Sequence, residues 1–229
     1  MNPTSPRSLI SRLVRKLRGS SGGGGAAATA SYWNDKYSTD EFIYTKTANR
    51  FVTELCEPLA PGKAIDLAGG EGRNTIWLAE RGWQVENVDI SAVGLDKCSA
   101  FAVERGVQGR VKTLCASGAD FSSTLAPVDL GIVPYLQVPG ELLGASLKNL
   151  VSQIRSGGHL VGVWHALENL SGGFGGPQDP AVLPSVESMK SMLASMPLEV
   201  EVCELRDGQV QTRDGLKPSI TLVVKALVR

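Results

Sequence analysis

Ala64-Ile65-Asp66-Leu67-Ala68-Gly69-Gly70-Glu71-Gly72 is the stretch that decides how this chain folds. Residues 64–67 read as a short buried strand, and they run straight into a glycine-rich turn. Glycines there let backbone approach a ligand closely and let the following helix begin at once. A helical pattern through Ile76, Trp77, Leu78 and Ala79 follows and stops at Gly82. Residues 85–90 then read as a second strand, with Asp89 near its end.

The alternation continues outward from that unit. Ser91 is placed to cap a helix that runs to Gly106. Residues 111–115 and 128–133 form strands three and four. Leu142, Leu143, Leu147, Leu150, Val151 and Ile154 recur at helical spacing, and Gly157-Gly158 turns the chain into strand five at 160–164. Ser185 opens a helix to Met196, and β-rich runs at 198–205 and 220–228 close the chain. Upstream, Thr39 or Asp40 can cap a helix with Ile43, Ala48, Phe51, Val52 and Leu55 on one stripe, ended by Pro58. Strands alternating with helices predict a parallel sheet covered on both faces. The last two strands are joined by a polar stretch without helical pattern, so they should pair as an antiparallel hairpin at one edge. The expected class is α/β: a Rossmann-like, doubly wound, mostly parallel sheet of seven strands.

Ligands of such sheets sit beyond the carboxyl ends of the strands, at the switch point beside the first strand. Asp66 precedes the first glycine of the turn by three residues. A carboxylate there attracts an amino group or a sulfonium and repels a pyrophosphate. A dinucleotide fingerprint beginning at Gly70 would also need glycine at 75, where this chain has Thr75. Asp89 is placed to accept both hydroxyls of a ribose. A nicotinamide-dependent oxidoreductase is therefore the second reading, and a non-catalytic protein that keeps a cofactor fold is the third.

Composition bounds the rest. The 229 residues carry 23 basic and 23 acidic side chains. Five of the basic ones, Arg7, Arg12, Arg15, Lys16 and Arg18, precede the first acid, Asp35. That leaves 18 against 23 for the remainder, so no basic face is expected there and no nucleic-acid partner. Residues 1–30 form a separate extension, an amphipathic basic segment followed by Gly and Ala runs. The pattern suits a disordered tail, a weak contact with an anionic membrane surface, or a transit segment. Residues 31–229 form the main domain. Four cysteines without a CxxC pair and two histidines argue against a metal site. A cytoplasmic location is expected.

Residues 66–74, Leu78-Ala79-Glu80-Arg81-Gly82 and Val88-Asp89-Ile90-Ser91 together resemble the class I S-adenosylmethionine-dependent methyltransferases. The bacterial branch similar to tellurite-resistance methyltransferases is nearest, since Trp33-Asn34-Asp35-Lys36-Tyr37 and Ala48-Asn49-Arg50-Phe51 look like its N-terminal elements. The resemblance implies S-adenosylmethionine as cofactor. It places Asp66 at the methionine amino group, Gly69, Gly70 and Gly72 along the cofactor, Asp89 on the ribose, Ile90 on the adenine, and Asp120 with Phe121 by the adenine amino group. Ala68 departs from the family's glycine; alanine permits negative φ, so the turn is expected to adopt a compatible conformation there.

Acceptor residues should come from the ends of strands four and five. Tyr135 and Gln137 follow strand four. His165 follows strand five, whereas His159 opens that strand at the other end, so His165 is the candidate base, with Tyr135 beside it. Glu168 and Asn169 are nearby polar candidates, and Gly172-Gly173-Phe174-Gly175-Gly176 has the composition of a lid or of a plain exposed connection. The expected reaction is in-line methyl transfer to a small-molecule acceptor, with no metal or covalent nucleophile.

Overall fold

The computed structural model describes residues 29–212 and 214–229. Seven strands form one sheet in the order β3-β2-β1-β4-β5-β7-β6. They are β1 (Lys63–Leu67), β2 (Gln84–Asp89), β3 (Val111–Cys115), β4 (Val128–Pro134), β5 (Ile154–His165), β6 (Leu198–Thr212) and β7 (Gly215–Val228). The first five are parallel, and β7 runs antiparallel to both β5 and β6. The order reverses beside β1, which puts the switch point at the turn after Leu67.

Alternation along β1 divides its side chains between two cores. Ile65 and Leu67 join the apolar cluster that includes Leu143, Leu147 and Leu150 of α5 (Gly140–Ser152) and Met189 and Leu193 of α7 (Val186–Leu193). Ala64 joins the opposite cluster, with Phe51 and Val52 of α2 (Arg50–Cys56), Ile76 of α3 (Arg73–Glu80) and Phe101 of α4 (Ala92–Glu104). Asp66 lies on the α3 side, where its carboxylate meets Thr75.

Three elements differ from the sequence pattern. The upstream helix is only Arg50–Cys56, because Asn49 Oδ1 accepts from the amides of Phe51 and Val52 and so caps it there. Ile43 is not helical: its amide donates to the Glu71 carboxylate, and residues 39–49 form a strap across the molecule. A helix that the pattern did not show, α1 (Ala30–Tyr37), precedes the strap and is capped by Thr29. The closing hairpin is also longer than its apolar runs. The ladder continues to Thr212↔Gly215, past the end of β5, where the ribbon is only partly covered and its mostly polar residues give no hydrophobic alternation to mark a strand. A short helix, α6 (Asn169–Gly172), follows β5. No helix among the described residues is long and apolar enough to cross a membrane. The call on residues 1–28 of the extension lies outside the described residues.

Candidate active site

The turn between β1 and α3 is built on three left-handed residues, Ala68 (φ 58°), Gly70 (φ 51°) and Gly72 (φ 85°). The expectation of negative φ at Ala68 is therefore corrected. The Ala68 amide donates to the Val88 carbonyl at 2.7 Å, and this bond, with the tight turn beyond it, fixes the backbone where L-residues are disfavoured. Gly69 is required by crowding. A Cβ there would stand 2.8 Å from the carboxyl carbon of Asp66 and 2.5 Å from Asn87 Oδ1.

Both predicted carboxylates converge on this turn. Asp89, at the end of β2, accepts from the amides of Gly70 (2.9 Å) and Ser91 (2.8 Å). Asp66 is fully buried; its Oδ2 accepts from the Thr75 hydroxyl at 2.6 Å, while its Oδ1 has no partner. Asn87 Oδ1, beside the same glycine, is also unpartnered. Unsatisfied buried acceptors are costly, and two around one turn mark a place suited to a donor, above all a cationic one. Burial raises the Asp66 carboxyl to about 7, partly countered by the Thr75 hydroxyl. Burial also raises Asp89, against the pull of its backbone donors. Ile90, half-buried, follows directly. Phe121 is packed in the core cluster that contains Leu67 and Val88, and Asp120 is exposed, its amide turned to the Ser117 carbonyl.

Several residues of the site carry no isolated sequence signal. Tyr37 is buried over the turn, so that a methyl group on Gly70 would collide with its hydroxyl. Asn34 Oδ1 accepts from the Ser91 hydroxyl at 2.7 Å and ties α1 to the start of α4. Glu71, also buried, accepts from the amides of Ile43 and Tyr44 and from Lys97 Nζ at 3.0 Å, which holds the strap against the turn. Polar residues of this kind read as ordinary surface until tertiary structure supplies their partners; the cues were a glutamate between two glycines and the resemblance carried by residues 33–37.

Beyond the ends of β4 and β5, where acceptor residues are expected, Tyr135 and His165 are brought together with ring centroids 4.9 Å apart. Tyr135 follows Pro134 with φ 64°, a conformation that costs energy and recurs at functional sites. Its hydroxyl accepts from Asn49 Nδ2 at 3.1 Å, and the Arg73 guanidinium lies 5.8 Å from its ring. Gln137 Oε1 accepts from the His165 amide at 2.7 Å, and its Nε2 donates to the Val182 carbonyl. His165 Nδ1 is buried without a partner, and burial lowers the imidazole's pKa, so the ring is neutral near pH 7. His159 sits away from this cleft, beside Glu201. Asn169 is a clamp: it donates to the Gly175 carbonyl and accepts from the Ile220 amide, closing the glycine loop onto β7. Glu168 is exposed, and Phe174, half-exposed, bonds through its amide to the Pro218 carbonyl.

Comparison with known proteins shows what this geometry is similar to. The family model described as tellurite resistance protein TehB matches residues 28–114, from α1 to β3. A tRNA 5-carboxymethoxyuridine methyltransferase of Escherichia coli K12 is 33% identical over 103 residues, covering 43% of this chain and 38% of that protein. A ribosomal RNA small subunit methyltransferase C of Alcanivorax borkumensis is 43% identical over 51 residues, covering 22% of this chain and 16% of that protein. The matches thus span well under half the length of either relative. The solved structure of TehB from Haemophilus influenzae superposes with a TM-score of 0.66 at 16% identity, over 87% of this chain and 67% of that one. The expectation of no nucleic-acid partner is corrected by these relatives, both of which are named for RNA. Net charge is a weak guide to such a partner, because it averages over the whole surface whereas nucleic-acid contact needs only a local basic patch. With its switch-point turn and its sheet order the chain has the fold of the class I S-adenosylmethionine-dependent methyltransferases, and its residues 28–114 are similar to the tellurite-resistance protein TehB.

Proposed function

We propose that the chain is an S-adenosylmethionine-dependent methyltransferase whose acceptor is an RNA nucleotide. The observation that carries the cofactor reading is the fully buried Asp66 with one unpartnered carboxylate oxygen, across the turn from Asp89. Asp66 would meet the cofactor's ammonium group and Asp89 its ribose hydroxyls. Gly69, Gly70 and Gly72 would leave room for the chain of the amino acid, Ile90 would pack on the adenine, and Asp120 with Phe121 would lie at its amino edge. When bound, the cofactor supplies an activated methyl group for in-line displacement.

The protein's own contribution is alignment, exclusion of water and proton management. Neutral His165 can accept a proton from the attacking acceptor atom, and Tyr135 fixes the ring beside it. Two buried carboxylates disfavour a pyrophosphate-bearing dinucleotide, and Thr75, where a dinucleotide fingerprint would have its last glycine, bonds to Asp66 instead. The RNA acceptor is supported by the names of the relatives.

Calorimetry with S-adenosylhomocysteine and with NAD tests the cofactor; binding of NAD alone would overturn the reading. Transfer of a tritiated methyl group to total RNA, set against a metabolite extract and against tellurite, tests the acceptor. Label that enters only the low-molecular-weight products would overturn the RNA assignment.

A further inference from the structure

A row of alternating cations and aromatic rings leads from α1 to the candidate acceptor end. Lys36 Nζ lies 5.6 Å from the Tyr32 ring, 4.9 Å from Trp33 and 5.9 Å from Tyr44. Arg73 Cζ lies 5.9 Å from Tyr44 and 5.8 Å from Tyr135, whose ring in turn contacts His165. Tyr32 and Tyr44 are 51% and 47% exposed, far more than aromatic rings that serve a core. Neither Lys36 nor Arg73 forms an ion pair among the described residues, although seven other cationic side chains there do. Two uncommitted charges are thus held on ring faces beside the site.

We propose that Tyr32, Lys36, Tyr44 and Arg73 form a stacking platform for unpaired RNA nucleotides that flank the target base. Exposed rings offer π-faces to bases, and the interleaved cations meet the phosphates between them. Only unpaired nucleotides expose base faces, so single strands and loops are selected over duplex. The sequence that leads into α1 adds five cations and no acid. A membrane surface is disfavoured as occupant: α1 (ASYWNDKY) has no leucine, isoleucine or valine to bury among acyl chains. The inference rests on the RNA-acceptor reading.

The test is fluorescence anisotropy of the full chain with a short labelled single-stranded RNA, with the blunt duplex of the same sequence, and with phosphatidylserine vesicles. Single-stranded RNA should bind about tenfold or more tightly than duplex. Each of Tyr32→Ala and Tyr44→Ala should weaken it by about tenfold, while the Phe variants restore it. Binding of S-adenosylhomocysteine, measured in parallel, should not change. Equal RNA affinity of wild type and the double Ala variant would overturn the platform, as would vesicle binding without preference for single strands. Ring-dependent RNA binding without methyl transfer to any RNA would support the platform and count against the acceptor reading.

Discussion

The amide of Gly70 donates to Oδ2 of Asp89 at 2.9 Å, so the acid at the end of β2 is fastened to the turn after β1. A second amide, that of Ser91, meets the other carboxylate oxygen at 2.8 Å. Asp89 is thereby held in one orientation before any ligand arrives.

That arrangement predicts the outcome of Asp89→Ala. The variant should lose S-adenosylhomocysteine affinity by at least about a hundredfold, since the proposed charge-assisted pair of hydrogen bonds to ribose would go along with the turn's anchor. Calorimetry reads the affinity and thermal unfolding reads the anchor. Unchanged affinity would remove Asp89 from the cofactor site.

If Asp66 meets the cofactor's ammonium group as proposed, cofactor binding depends on pH. Burial raises its carboxyl from the ordinary 3.8 to about 7, so between those values the free folded protein carries a proton there that the unfolded chain does not. In the free protein this group therefore adds stability that is full below the unfolded value and is lost as pH rises through 4 to 7. An ammonium group brought against Asp66 favours the ionised form, so binding expels the proton. Affinity for S-adenosylhomocysteine should rise by up to about tenfold per pH unit between about 5.5 and 7, then level off. Calorimetry in buffers of different ionisation heat would register the released proton. Asp66→Asn should abolish this slope; a slope that survives the substitution assigns it elsewhere.

Ala68→Gly should stabilise the protein. Alanine at φ 58° pays a steric cost of about 1–2 kcal/mol that glycine avoids, offset in part by glycine's greater freedom when unfolded. The expected net gain is about 0.5–1 kcal/mol, seen as a higher urea midpoint at unchanged slope. A lower midpoint would mean that the alanine methyl makes contacts worth more than its strain.

His165→Gln should lower kcat by about a hundredfold or more and leave S-adenosylhomocysteine binding intact. Because burial lowers the imidazole's pKa from 6.5, wild-type kcat should be flat above neutrality and fall only on the acid side. A variant with wild-type kcat would make His165 a structural residue, packed against Tyr135 and held by Gln137.

The sequence by itself determined the parallel core and one half of the site. Residues 64–72 and 84–91 are local units, in which strand end, turn and helix start are adjacent in the chain, so the positions of Asp66, Gly70, Gly72 and Asp89 could be read from spacing. The tertiary structure alone decided the rest, because it depends on partners far apart in sequence. Glu71 is defined by Ile43 and Lys97, Tyr135 by Asn49 and His165, and the exposed row of rings by Lys36 and Arg73. Local patterns report burial and chain direction; they carry no record of which polar side chains meet once the strap at 39–49 is laid across the turn.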